Sequence, residues 1–333
     1  MNDPTYTISI KTIDLVSRIA EKLGEIRGVE GYSHNLRLRK INRLRTIQSS
    51  LAIENNTLTL GQVTDIIEGK RVLGLPHEIQ EVKNAYLAYE HLLEYNPYKV
   101  KDFLKAHQYF TALLVKDAGH FRSQGAGAFD GAKLVHAGAG YQFVPQLVKD
   151  LFLWAKKTDV HPLIKSSIVH FEIEYIHPFI DGNGRIGRLW QTLILTNWNE
   201  LFAWLPVETV VYKNHQSYYE ALAISQKSGN SVLFVEFMLD AILQALEELP
   251  ARKITDIFTD IITDKLSKTE LEILEQIAGY LDKNGEINNY RVQLLTNKSD
   301  ISVKKYLAKF VELGLLEVEG KNKGRKYKIK KMH

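Results

Sequence analysis

Apolar positions recur at helical spacing along most of the chain. Between Thr12 and Leu23 they fall at Ile13, Leu15, Val16, Ile19, Ala20 and Leu23, a stripe along one side of a helix. The same spacing predicts helices over Leu36–Ile53, from Pro76 through Leu92, over Phe103–Val115 with Gly119 closing it, and over Pro145–Lys156 and Pro162–Tyr175. Further helices are expected over Gly184–Trp198, His215–Ser225 and Val232–Leu249. Glu78 and Glu81 follow Pro76, where carboxylates complement the positive end of a helix dipole. Asn96-Pro97 interrupts the pattern. The periodicity fails between Ala118 and Tyr141. That stretch is rich in Gly and Ala, and short β-prone pieces (Ala128-Phe129, Leu134-Val135, Tyr141–Val144) predict a hairpin or extended loop.

Leu249-Pro250 marks a boundary, followed by an expected linking helix over Ile254–Lys265. From Ser267 the pattern changes. Ser267-Lys268-Thr269-Glu270 is a capping-box signature, and it precedes a helix through Leu271, Ile273, Leu274 and Ile277. A short helix through Val292 and Leu295 and another over Ser302–Leu313 come next. Two strands, Gly314–Val318 and Lys326–Ile329, then flank a Gly/Lys/Asn turn. Three helices and a two-stranded wing are the order of a winged helix. The expected fold is therefore mainly α, with a C-terminal winged helix-turn-helix domain. The expected division is an N-terminal helical region over 1–95, a core over 96–250, and a linker helix with the winged helix over 251–333.

Composition narrows the classes. At 333 residues, with 45% hydrophobic and 25% charged residues, the chain is long enough for two or three ordinary globular cores. It has no cysteine, which removes disulfide and thiolate chemistry. No basic-then-apolar leader opens it, and no apolar run approaches the ~18 residues a membrane span needs. Val232–Leu249, the longest candidate, is broken by Glu236, Asp240, Glu247 and Glu248. A cytoplasmic location without a membrane partner is expected. The net charge of +4 is uneven, because residues 267–333 hold 14 Lys and Arg against 9 Asp and Glu.

The chemistry concentrates between His177 and Arg188. Two glycines flank Asn183 and a periodic apolar helix follows, so backbone N–H groups at its positive end form an anion site suited to phosphate. Arg185 and Arg188, three residues apart, project from nearly one face and can share a polyanion. Asp181 is placed to hold Mg²⁺, which prefers one or two carboxylates plus phosphate oxygens. His177 is a titratable base able to take a proton from an attacking hydroxyl. Gly182–Gly187 also spells G-x-G-x-x-G, but a dinucleotide site needs a strand just before it, and the stretch from Ile168 to Tyr175 is helical in pattern. There is no Walker lysine. A glycine turn before a helix with solvated arginines is the plainer alternative.

The segment His177-Pro178-Phe179-Ile180-Asp181-Gly182-Asn183-Gly184-Arg185-Ile186-Gly187-Arg188 resembles the Fic family signature, H-P-F-x-D-G-N-G-R-x-x-R, at every fixed position. Phe121-Arg122 after Gly119, the Gly/Ala segment, and Asn214 with Tyr218-Tyr219 extend the likeness over Leu36–Leu249. The resemblance implies a Fic-fold helical bundle whose β-hairpin is a flap docking a protein target. It implies transfer of AMP from ATP to a Ser, Thr or Tyr hydroxyl. In that scheme His177 is the base and Asp181 the Mg²⁺ ligand. Gly182, Asn183 and Gly184 form the anion hole, Arg185 and Arg188 grip the β/γ-phosphates, and Ile186 and Gly187 belong to the same ATP-binding stretch. Tyr218, Tyr219 and Gln226 lie near the adenosine.

Ser50-Leu51-Ala52-Ile53-Glu54-Asn55 resembles the family's inhibitory motif, [S/T]-x-x-x-E-[G/N], within a helix over about 44–55. The likeness implies that Glu54 pairs with Arg188 and excludes the γ-phosphate. In some relatives that glutamate instead helps water remove AMP, so deAMPylation, or transfer of another nucleotide or of phosphate, stays open. His107, His161, His170 and His215 lack metal-ligand spacing and are expected to be structural. Lys321–Lys331 holds seven basic residues, which leaves open a DNA-binding regulator with a nucleotide-sensing core. Lysines on an edge hairpin, protein interaction and a homodimer are the rival readings.

Overall fold

The computed structural model describes residues 3–27, 36–125, 127–130, 133–249, 266–320 and 325–329. These form two compact units, one of Met1–Glu25 with Leu38–Leu249, the other of Ile26–Arg37 with Pro250–His333. The first unit is helical: α1 (Ile10–Arg27), α2 (Leu36–Ile53), α3 (Leu60–Ile67), α4 (Pro76–Glu90) and α5 (Val100–Thr111) precede a hairpin of β1 (Gly127–Asp130) and β2 (Lys133–Ala137). Six helices follow: α6 (Val144–Lys157), α7 (Pro162–Ile176), α8 (Asn183–Trp198), α9 (Val207–Lys213), α10 (His215–Ser228) and α11 (Val232–Glu247).

One core joins α2 through α8. Ile47 and Leu51 of α2, Val82 and Tyr89 of α4, Phe103 and Phe110 of α5, Phe152 of α6, Ile173 of α7 and Trp190 of α8 belong to a single buried cluster. Burying each such side chain contributes about 1.5–3 kcal/mol. The expected boundary near residue 95 therefore divides no core, because α2 and α4 pack with α5 to α8. Trp190 holds the centre, stacked on Phe152 at 5.8 Å, its indole N–H donating to the Pro97 carbonyl at 3.0 Å.

Several expected elements are corrected. α5 stops at Thr111 rather than running to Val115, because the Asn84 side chain of α4 takes the carbonyls of Phe110 (3.1 Å) and Ala112 (2.7 Å) out of any helical ladder. Tyr141–Val144 is no strand but a 3₁₀ turn leading into α6, whose early Pro145 carries a helix-ready φ. α3 and α9 were not expected at all. α3 is set by a Thr59–Gln62 capping box. Ala128-Phe129 and Leu134-Val135 do lie in the hairpin, which is antiparallel with an irregular register between Ala128 and Phe129.

In the second unit α12 (Lys268–Asn284) starts at the Ser267–Glu270 capping box. β3 (Ile287–Asn288), α13 (Asn289–Thr296), α14 (Asp300–Glu312), β4 (Leu316–Glu319) and β5 (Lys326–Ile329) follow. The antiparallel sheet runs β3-β5-β4, so Ile287-Asn288 supplies a third strand that periodicity did not announce. Leu274, Ile277, Val292, Val303, Leu307, Phe310, Leu316 and Tyr327 make this unit's own core. The linking helix expected over Ile254–Lys265, and most of the basic stretch from Lys321, lie outside the described residues.

Candidate active site

The loop between α7 and α8 is built to hold an awkward backbone. α7 ends on His177, whose φ of 53° lies in the left-handed region, at a cost to a non-glycine residue of about 1–2 kcal/mol. The next positive φ, 83°, falls on Gly182, the N-cap of α8, where a Cβ would also press on Thr111 at 3.1 Å. Between them Asn183 folds its amide back, accepting from the Phe179 N–H (2.9 Å) and donating to the Phe179 carbonyl (3.0 Å). Phe179 stacks flat on His107, 3.6 Å between ring centres.

His107 accepts the Gly119 N–H on Nδ1 (3.0 Å), so Nε2 carries the hydrogen and donates to the Asp181 carbonyl (3.0 Å). Burial pushes this imidazole down to about 4, against a weaker upward pull from that carbonyl. It is a neutral strut under the loop.

The charged groups meet at the start of α8. The Asp181 carboxylate accepts the Gly182 N–H at 2.6 Å and Arg185 Nη2 at 3.0 Å, yet its side chain stays 55% exposed. Such a carboxylate fits a magnesium ion completed by phosphate oxygens and water, as that ion prefers. Arg185 also reaches Glu81 of α4 at 3.2 Å, and Glu81 in turn accepts from Asn56, just past α2, at 2.8 Å.

Arg188 is buried, its side chain 2% exposed. It donates from Nε to Ser50 Oγ (3.0 Å) and from Nη2 to the Ser50 carbonyl (2.9 Å) and to Glu54 Oε1 (2.8 Å). Burial is the largest single influence and disfavours the guanidinium charge, but Glu54, Tyr218 and Tyr219 together raise it above its ordinary value. The Glu54 carboxylate lies so close to Gly184 that a Cβ there would collide with it. The first-turn amides of α8 have no intrahelical acceptor. The last turn of α2 thus delivers a carboxylate to the positive end of α8.

A model of the Fic/DOC family matches residues 97–195, which include this loop. A Fic family protein of known structure from Desulfovibrio desulfuricans is 39% identical, superposes with a TM-score of 0.74, and covers 99% of this chain and 98% of its own. The chain belongs to the Fic family. A Fic domain containing signaling protein from Bacteroides thetaiotaomicron, 18% identical over 70% of this chain and 95% of its own, shares the fold with a TM-score of 0.58. The protein named protein adenylyltransferase Fic from Drosophila yakuba is 26% identical over 246 residues, 70% of this chain and 45% of the fly protein. The chain spans about half the length of the curated relatives it matches.

Within this Fic fold the expected site residues separate. His177, Asp181–Arg185, Arg188, Ser50 and Glu54 converge on the loop. Ile186 points into the core, and Gly187 is needed for packing, since a Cβ there would stand 2.7 Å from the His170 ring. Tyr218 turns inward. It is 1% exposed, its hydroxyl donating to His170 Nε2 at 3.2 Å, because His170 and Phe234 surround its ring. Tyr219 is half-exposed, and its hydroxyl donates to the Ile53 carbonyl at the end of α2 (3.1 Å). Gln226 is half-buried near the end of α10.

The other histidines serve the scaffold. His161 caps α7 through the Leu163 N–H, and His215 contacts the Tyr212 carbonyl. His170 bonds Gln191 at 2.7 Å, and burial holds it down at about 3. Sequence reasoning missed the place of Glu81 in the site. It also missed Glu174, buried near Glu54 and raised to about 7 by burial and then by that neighbouring charge. Arg122 appeared only as part of a likeness, and only the fold reveals its partners.

Proposed function

We propose that this Fic protein transfers AMP from ATP to a hydroxyl of a protein, itself or another, and that its own Glu54 restrains it. The observation that carries the reading is the convergence of His177, Asp181, the Gly182–Gly184 turn, Arg185 and Arg188 on one loop at the positive end of α8. The target hydroxyl oxygen attacks the α-phosphorus as His177 takes its proton. The bond to the β-phosphate oxygen breaks and pyrophosphate leaves. Arg185 and Arg188 oppose the charge on the leaving phosphates, and the α8 amides hold them in place. Asp181 would hold Mg²⁺, which supplies further charge neutralisation. The hairpin would dock the target as an added strand, a mode that tolerates varied sequences.

Restraint follows from position. A carboxylate 2.8 Å from Arg188 repels a γ-phosphate seeking the same guanidinium. A second reading, a DNA-binding regulator, draws less support from the C-terminal unit. Lys304, Lys309, Lys326 and Lys328 each sit in salt-bridge range of a carboxylate, so the described face is mixed in sign. Incubation with Mg²⁺ and ATP followed by intact-protein mass spectrometry tests the main reading. A mass gain equal to AMP, lost in His177→Ala, is expected. A gain equal to phosphate, or one that survives the substitution, rejects it.

A further inference from the structure

Arg122 stands at the root of the hairpin and is only 3% exposed. Its guanidinium donates from Nε to the His177 carbonyl (2.7 Å), from Nη1 to the Gln124 carbonyl (2.9 Å), and from Nη2 to the carbonyls of Ala139 and Ile176. Its backbone N–H donates to the Pro178 carbonyl at 3.0 Å, and the Ala139 N–H donates to the Ile176 carbonyl at 3.3 Å. Gln124 precedes β1 and Ala139 follows β2, so a single side chain binds both feet of the hairpin to the residues that end α7.

The chemistry suits the place. The last carbonyls of a helix lack intrahelical donors and carry partial negative charge, which a cation there complements. A planar fork of five N–H groups can span four carbonyl oxygens, as the compact ammonium of a lysine cannot. His177 also needs the help. Its left-handed backbone persists only where the surroundings over-determine it, and the bond from Arg122 to its carbonyl is one of those constraints.

We propose that Arg122 is the positioning residue for His177, holding the base and the two feet of the hairpin as one body. This rests on the reading of His177 as the proton acceptor in AMP transfer. A target laid along the hairpin is thereby brought into register with the base, although Arg122 touches neither nucleotide nor hydroxyl.

The test uses the full chain carrying Glu54→Gly, compared with the same chain carrying Arg122→Gln or Arg122→Lys as well. Hydrogen–deuterium exchange is read at the His177 and Ala139 amides, with α8 as the internal reference. Loss of the clamp should speed exchange at both amides about tenfold, the equivalent of one lost hydrogen bond, and leave α8 unchanged. Labelling with ATP should show kcat reduced about 100-fold, as for a base displaced by about 1 Å, while KM for ATP stays within about twofold. Guanidinium ion added to Arg122→Gln should restore part of kcat.

Unchanged exchange at both amides overturns the proposal, whether or not the parent labels itself. So does a parallel loss of kcat, ATP affinity and melting temperature, which marks Arg122 as a structural staple. Faster exchange in the Arg122 variants of a parent that never labels upholds the clamp and rejects AMP transfer alone.

Discussion

A methyl group on Gly184 would collide with the Glu54 carboxylate, and the same carboxylate neutralises Arg188. One oxygen thus fills the place beside the helix terminus and satisfies its nearest cation. On the proposed reading, Glu54→Gly should raise auto-labelling by about tenfold or more, given the strength of a charge-assisted bond to a desolvated guanidinium. Equal incorporation of labelled AMP by wild type and variant would remove the brake from the scheme. Tyr218 supplies the contrasting case. Tyr218→Phe strips His170 Nε2 of a buried donor and should cost about 1–2 kcal/mol in urea unfolding. ATP affinity, measured by equilibrium dialysis, should not change.

Among the elements, α7 carries the least comfortable charges. Burial raises both Glu172 and Glu174 to about 7. In the unfolded chain these carboxyls ionise near 4.5, so between about 4.5 and 7 the unfolded state loses protons that the folded state keeps. Folding stability therefore falls as pH rises through that window, by up to about 3 kcal/mol per residue, and levels off above it. Replacing both by Gln should flatten the dependence of melting temperature on pH between 5 and 8. An unaltered slope would show that the two carboxyls ionise freely in the fold.

The elements also show what periodicity could convey. The helix over about Leu36–Ile53 was legible because its apolar positions recur at helical spacing. The end of α5 was not, since Asn84 decides it from another helix. α9 was missed because seven residues are too few to establish a period. The site divides in the same way. Its loop is contiguous in sequence and could be read as a motif, including the partner Glu54 reached by resemblance. Glu81, Glu174 and Arg122 join it only through folding: Glu81 was read as a helix-dipole carboxylate and Arg122 as part of a likeness, and neither reading gave its partners. The burial of Tyr218 was not legible, because helical spacing alone does not say which face of α10 turns inward.

At the scale of the whole chain, the buried cluster that contains Trp190 and the one that contains Phe310 share no residue. Calorimetry should resolve two transitions. Phe310→Ala, which opens a cavity in the smaller core, should destabilise one of them by about 3–5 kcal/mol and leave the other in place. A single transition that shifts as a whole would contradict the independence of the cores.

The last turn of α2 has a kinetic consequence. Glu54 follows the helix, Asn55 turns left-handed at φ 68°, and Tyr219 holds the Ile53 carbonyl. Helix ends open at small free-energy cost and rearrange within microseconds, far faster than enzymes usually turn over. If Glu54 and the γ-phosphate take turns at Arg188, the helix tip acts as a tethered competitor. Its potency is an effective concentration, independent of how much protein is present. Weakening that turn should then lower the apparent KM for ATP and leave kcat unchanged, so that cellular ATP, rather than a separate signal, would set how often the enzyme is free to act.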